Sequence, residues 1–99
     1  MEERRDQWEG TLYFRSDDAI YREHFCGFPV VPGSLIVHAF LTALEKIGFS
    51  TERLTIENFT FRGFLSPGQY PYRIELCSGR FHCLINQGDK NLVKGILRQ

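Results

Sequence analysis

The side chains best suited to move protons at neutral pH in this 99-residue chain are its three histidines, because imidazole gains and loses a proton near that range. His24 stands in front of a stretch rich in glycine and proline, whereas His38 falls within an apolar stretch. Taken alone, a loop histidine such as His24 is more often a surface or hydrogen-bonded residue than a catalyst. His82 is better explained as a neighbour of Glu75 on an exposed strand face than as a metal ligand.

The three cysteines, Cys26, Cys77 and Cys83, are an odd number and lack the C-x-x-C spacing of a zinc site. We therefore expect free thiols, no metal and a reducing compartment. Cys26 lies close to His24 in sequence, but a nucleophilic thiolate needs a stabilising geometry that spacing alone does not supply. Packing as a small apolar side chain is the favoured interpretation for Cys26, and Cys83 belongs to the core by strand alternation.

The charge balance excludes two classes of partner. Twelve Lys and Arg against twelve Asp and Glu give a formal net charge of zero, without the positive field that binders of nucleic acid and anionic membranes use. No apolar run approaches the ~20 residues of a membrane span. The charged start of the chain lacks the apolar stretch of a signal peptide, so a cytoplasmic protein is expected.

The elements that must position the histidines are expected to form a single α+β domain over residues 1–99, since 42% of the residues are hydrophobic and can supply a core. In chain order we predict a charged, disordered start (1–7), a strand (9–15), a helical turn (19–23), an ordered loop (26–33), a long helix (34–47) and four strands (54–62, 70–77, 80–86 and 92–98). A domain this small gains stability from a partner chain, so oligomerisation is expected.

Two of these predictions bear on the histidines. The long helix is apolar on nearly every side, which indicates a buried helix, and its polar stripe consists of His38, Thr42 and Glu45. A two-residue turn at Ser78-Gly79 predicts a hairpin with an apolar face and Glu75 opposite His82. Its pairs are Cys77 with Arg80, Leu76 with Phe81, Ile74 with Cys83 and Tyr72 with Ile85.

The segment from His24 to Gly33, H-F-C-G-F-P-V-V-P-G, followed by an apolar helix, resembles the active-site loop of the 3-hydroxyacyl-(acyl carrier protein) dehydratases of type II fatty-acid synthesis. Phe61-Arg62 and Pro67-Gly68 also stand where that family has F-R and P-G pairs. The resemblance spans most of the chain and implies a hotdog fold, an antiparallel sheet wrapped around one long central helix. Cys26 replaces the usual proline, and Val31 an often-found methionine; a pocket wall can absorb both changes.

The resemblance implies a site without a cofactor. His24 is the expected base, and the N–H of Gly33 at the start of the helix is expected to hold the thioester oxygen. The resemblance further implies that Phe25, Val31 and Pro32 contact the substrate.

In that family the helix supplies a catalytic carboxylate to the neighbouring subunit, and this chain has His38 at that position. His38 would have to serve as the catalytic acid. Its place near the positive end of the helix dipole disfavours the imidazolium, so we expect it to be mostly neutral and a weaker acid catalyst than a carboxylic acid. The solvent-facing edge of the helix is an equally good explanation for His38.

Three hypotheses of function follow, in this order. The first is a dehydratase or hydratase of 3-hydroxyacyl thioesters, carried on acyl carrier protein or CoA, in fatty-acid or polyketide metabolism. The second is a catalytically impaired hotdog protein that binds acyl thioesters or pairs with an active subunit. The third is an acyl thioesterase, although Glu45 lies too far along the helix to match the carboxylate of that class.

A homodimer or higher oligomer is expected and a heterodimer is possible. Arg62, Arg73 and Arg80 are candidates for docking an acidic carrier protein, although scattered surface arginines are the usual case.

Overall fold

The computed structural model describes residues 6–15, 31–63 and 65–99. Its elements are β1 (Asp6–Phe14), α1 (Gly33–Lys46), β2 (Thr55–Phe61), β3 (Gly68–Cys77), β4 (Arg80–Gln87) and β5 (Lys90–Arg98). The predicted helical turn at 19–23 and the loop residues 26–30 lie outside the described residues. So do residues 1–5 of the start that was predicted to be disordered.

The five strands form one antiparallel sheet in the order β1-β3-β4-β5-β2. Two hairpins place β3, β4 and β5 side by side, whereas β1 and β2 are added at opposite edges by pairing with strands distant in sequence. In the described part of the chain, α1 packs its buried residues into the core that the sheet forms. One helix against an antiparallel sheet confirms the expected α+β class and hotdog architecture.

The β3–β4 hairpin has the predicted register. All four predicted pairs are present, and Glu75 lies opposite His82. Ser78 and Gly79 have φ angles of 52° and 74°, the left-handed conformation that a two-residue hairpin turn requires at both positions. The inward face of this hairpin is fully buried at Ile74, Phe81, Cys83 and Ile85.

The beginning of β1 differs from the prediction. The strand starts at Asp6, so the expectation of a disordered start is wrong for Asp6 and Gln7, both of which pair with β3. Trp8 holds this start in place by packing edge-on against Phe49, with ring centroids 5.3 Å apart. The polar sequence does not indicate a strand at this point, because Asp6 and Gln7 are exposed and only Trp8 contributes an apolar contact there.

The helix is buried on one side only in the single chain. Ile36, Phe40, Ala43 and Leu44 are buried against the sheet, whereas the stripe of His38, Thr42 and Glu45 faces outward, with His38 and Glu45 exposed. The apolar residues flanking this stripe, such as Leu35 and Leu41, are half-buried. The prediction of a helix buried all round is therefore wrong for one chain by itself.

Phe40 occupies the centre of the core, fully buried between two aromatic rings. Its ring centroid lies 6.0 Å from that of Tyr72 and 6.2 Å from that of Phe59. Each of these rings lies over a glycine directly across the strand pair, Tyr72 over Gly10 and Phe59 over Gly95. A Cβ at Gly10 would come within 2.7 Å of the Tyr72 ring, and one at Gly95 would meet the Phe59 ring still more closely. Because the two glycines lack side chains, the rings of Tyr72 and Phe59 can lie against the sheet and pack beneath the helix.

Candidate active site

The structure describes four of the six predicted site residues, Val31, Pro32, Gly33 and His38. The other two, His24 and Phe25, lie outside the described residues, and so does Cys26. The structure therefore shows two parts of the candidate site, the start of α1 and the outward face of α1.

The start of α1 presents backbone N–H groups without a side-chain cap. Pro32 is the N-cap residue, in an extended conformation with φ −62° and ψ 146°, and its carbonyl accepts hydrogen bonds from the N–H groups of Leu35 and Ile36 at 3.0 and 3.2 Å. No side chain of the described residues caps this end, and the first turn contains no acidic residue. Because a helix has no intrahelical acceptor for its first N–H groups, this end favours an oxygen that develops negative charge.

Gly33 leaves room at the helix start for the Phe61 ring, which lies against it. A Cβ at this position would come within 3.2 Å of two ring atoms of Phe61. Phe61 also stacks on Phe59, with ring centroids 6.1 Å apart and planes at 26°. Two aromatic rings of β2 therefore form a wall that leads to the Gly33 amide.

Phe61 is a candidate site residue that sequence reasoning did not select. Its position in the Phe61-Arg62 pair was noted, but only the structure shows the ring in contact with the helix start. Inward alternation along β2 was the available signal, since Phe59 and Phe61 share one face of that strand.

Val31 joins the end of the loop to the segment before β3. Its N–H donates a hydrogen bond of 2.7 Å to the carbonyl of Leu65, and both side chains are buried in the core cluster. The loop end and the neighbourhood of Pro67-Gly68, which the resemblance singled out separately, are thus brought together. Val31 has a clear packing role, and its contact with substrate stays a prediction.

His38 and Gly33 lie on different sides of the helix. His38 is about 7.5 Å further along the axis and about 140° around it, from the geometry of an ideal α-helix. The side chain of His38 therefore projects from a different side of α1 than the position of Gly33. That a helix residue at 38 serves the neighbouring subunit stays a prediction.

A groove runs along the outward side of α1 next to β1. One part, of about 200 Å³, is lined by Tyr13, Phe14, Arg15, Leu35, His38 and Ala39. A second part, of about 360 Å³, shares Tyr13 and Ala39 with the first and extends to Thr42 and Lys46. His38 thus lies at one end of a groove with mixed apolar and polar walls, and Lys46 at the other.

The described residues include two cysteines and no cluster of metal ligands. Cys77 and Cys83 are free, as predicted, and burial raises the pKa of the Cys83 thiol to about 12. Cys83 therefore stays protonated at neutral pH and is no nucleophile. No group of His, Cys, Asp and Glu within the described ranges is arranged to hold a metal ion. No described helix is long and apolar enough to cross a membrane.

Solved structures with this fold include three of interest. An uncharacterized protein from Erwinia carotovora subsp. atroseptica superimposes with a TM-score of 0.70 at 22% identity, over 99% of this chain and 85% of that one. The dehydratase heterocomplex ApeI:P from Xenorhabdus doucetiae gives a TM-score of 0.70 at 19% identity, over 99% and 97% of the two chains. A point mutant of the fluoroacetyl-CoA-specific thioesterase FlK gives 0.56 at 15% identity, over 98% and 84%. At these identities the likeness shows the hotdog fold.

The family of this chain is shown by its amino-acid sequence. No curated protein matches the chain at a significant level. The model of the ApeI-like family, described as ApeI dehydratase, matches residues 1–87, which include the His24 loop, α1 and the Phe61 to Gly68 segment. The chain therefore belongs to the ApeI-like dehydratase family.

Proposed function

We propose that this protein is a dehydratase or hydratase subunit that acts on 3-hydroxyacyl thioesters carried on acyl carrier protein or CoA, in fatty-acid or polyketide metabolism. The observation that carries the proposal is the uncapped, acid-free start of α1 at Gly33 in a chain of a dehydratase family. Abstraction of a proton next to a thioester carbonyl builds negative charge on that oxygen, and backbone N–H groups at a helix start stabilise such charge.

The proposed reaction assigns one role to each of three groups. His24 removes the proton from the carbon next to the carbonyl, and the Gly33 N–H stabilises the enolate-like oxygen that results. The enolate electrons then form the carbon–carbon double bond while the C–O bond at the third carbon breaks. The hydroxyl leaves as water after it receives a proton from an acid, for which His38 of a neighbouring chain is the candidate.

The test is hydration of a short enoyl thioester by the purified protein, followed by loss of absorbance of the conjugated thioester, in the wild type and in His38→Glu. We expect turnover by the wild type and an increase of about tenfold or more in His38→Glu, because Glu restores the carboxylate that the dehydratases carry at this helix position, which takes the proton of the attacking water in the hydration direction. Thr42→Glu, which adds the same charge to the same stripe, is the matched control and is expected to leave the rate unchanged.

A wild type without turnover, combined with activity in His38→Glu, would instead favour the second candidate function, a subunit that binds acyl thioesters or assists an active partner. The replacement of the helix carboxylate by an exposed histidine is the observation behind this candidate. The solved ApeI:P structure is itself a heterocomplex. The thioesterase hypothesis is favoured by none of the described contacts.

We also propose that the functional unit contains a second hotdog chain paired along β2. This edge strand is exposed over most of its length, and Ile56 is 57% exposed there. Exposed edge strands offer unpaired N–H and C=O groups to another strand. The opposite edge, β1, begins instead with the polar residues Asp6, Gln7 and Glu9, which discourage such pairing.

The mass in solution tests this proposal. The wild type is expected to exceed the 11.5 kDa of one chain, and Ile56→Lys is expected to shift it toward the monomer, because burial of a lysine charge opposes association. Tyr13→Lys places the same charge on the other edge strand, where Tyr13 is 62% exposed, and should leave the mass unchanged. A wild type that is a stable monomer would contradict the proposal.

A further inference from the structure

The outer face of the sheet carries five cations whose surroundings differ. Three arginines are paired with carboxylates: Arg73 contacts Glu9 at 3.2 Å, while Arg80 and Arg98 contact Glu57 at 3.2 and 3.6 Å. Arg62 and Lys94 form no ion pair with any residue that the structure describes. With respect to the described residues, Arg62 and Lys94 are therefore free to pair with a negatively charged group from outside the chain.

Arg62 and Lys94 line the same small cavity. It measures about 140 Å³, and its other lining residues are Thr60 and Asn91, which contribute a hydroxyl and an amide. No carboxylate is part of the lining. The cavity therefore offers two positive charges together with neutral hydrogen-bond donors, the combination that binds a phosphate group.

The cavity is fixed by the backbone rather than by flexible side chains alone. Thr60 lies opposite Lys94 in the β2–β5 pair, and the Arg62 N–H donates a hydrogen bond of 2.9 Å to the carbonyl of Leu92. Arg62 is thereby held beside β5 although β2 ends at Phe61. The two cations thus project from neighbouring, hydrogen-bonded segments.

The cavity also lies next to the helix start. Phe61 places its ring against Gly33, and Arg62 follows it directly in the chain. Neighbouring residues of an extended strand point to opposite faces of the sheet. The cationic cavity and the Gly33 amide are therefore reached from consecutive residues at the end of β2, Arg62 and Phe61.

We propose that Arg62 and Lys94 bind the phosphate of a phosphopantetheine-type substrate arm. This inference rests on the proposed function, because it assumes that the thioester carbonyl lies at Gly33. The phosphate belongs either to the phosphodiester of a carrier-bound arm or to the pyrophosphate of CoA, which share the chemistry that the cavity recognises.

The experiment measures binding, so that it does not depend on turnover. Calorimetric titration compares phosphopantetheine with pantetheine, which lacks the phosphate. We expect the wild type to bind phosphopantetheine at least about tenfold more tightly, and Arg62→Gln and Lys94→Gln each to weaken it roughly fivefold, with pantetheine unaffected. Arg73→Gln removes one charge from the same face outside the cavity and is the matched control.

Equal binding of the two ligands by the wild type, no binding of either, or equal weakening by Arg73→Gln would each overturn the phosphate site. Titrations with CoA and with a phosphopantetheinylated carrier peptide distinguish the two sources of the phosphate. The proposed function fails separately: if no enoyl thioester is hydrated while the phosphate-dependent binding persists, the site stands and the catalytic assignment does not.

Discussion

His24→Ala is expected to lower the rate of enoyl-thioester hydration by about 10²- to 10⁴-fold, the usual contribution of a positioned general base. His24 is the group to which the resemblance assigns proton transfer at the carbon next to the carbonyl, and no other titratable side chain stands in the segment from His24 to Gly33 except Cys26. The loss should appear in kcat more than in KM, because the base acts on the transition state.

His82→Ala is the matched control, since it removes an imidazole from the outer sheet face opposite Glu75. Its rate is expected to equal that of the wild type. Thermal unfolding of both variants checks that they are folded. Full activity in a folded His24→Ala would show that the mechanism carried over from the dehydratases is wrong for this chain.

The largest effect on stability is expected from Phe40→Ala, which should reduce the free energy of unfolding by about 3–5 kcal/mol. Phe40 is fully buried between Tyr72 and Phe59. The rings on either side lie over glycines and are already at contact distance, so they have little freedom to fill the cavity. Since a domain is typically stable by only about 5–15 kcal/mol, a large fraction of the total would be lost.

Urea unfolding followed by tryptophan fluorescence measures this loss, because Trp8 packs against Phe49 in the same sheet-and-helix core. Tyr13→Ala removes an aromatic ring of similar size that is 62% exposed, and its cost should stay below about 1 kcal/mol. A Phe40→Ala variant as stable as Tyr13→Ala would mean that α1 does not pack on the sheet in the described way.

Local signals in the sequence were sufficient for the hairpin and the helix. The Ser78-Gly79 turn and the period-two alternation around it predict the β3–β4 register correctly, because both depend on neighbouring residues. The helix was placed within one residue at each end, since Pro32 and Gly48 mark its boundaries. Gly48 has a φ of 104°, as a residue that follows a helix often does.

Contacts between residues that are distant in the sequence could not be predicted from local sequence patterns. The addition of Asp6 and Gln7 to β1 depends on the length of β3, and the contact of Phe61 with Gly33 joins two elements that are distant in sequence. At the candidate site, the resemblance supplied Gly33 and His38, and the structure adds that the Phe61 ring lies against Gly33 and that His38 is exposed. The role of His24 stays a prediction, since that residue lies outside the described part of the chain.

The two glycine–aromatic pairs of the sheet have a consequence for how this sequence can diverge. A side chain cannot be added at Gly95 while the Phe59 ring lies over it, and the same holds for Gly10 and Tyr72. A side chain at Gly10 or Gly95 is therefore tolerated only when the ring across from it moves or is replaced by a smaller side chain. Among homologues that keep this fold, a residue other than glycine at position 10 or 95 should accordingly be accompanied by a change at position 72 or 59.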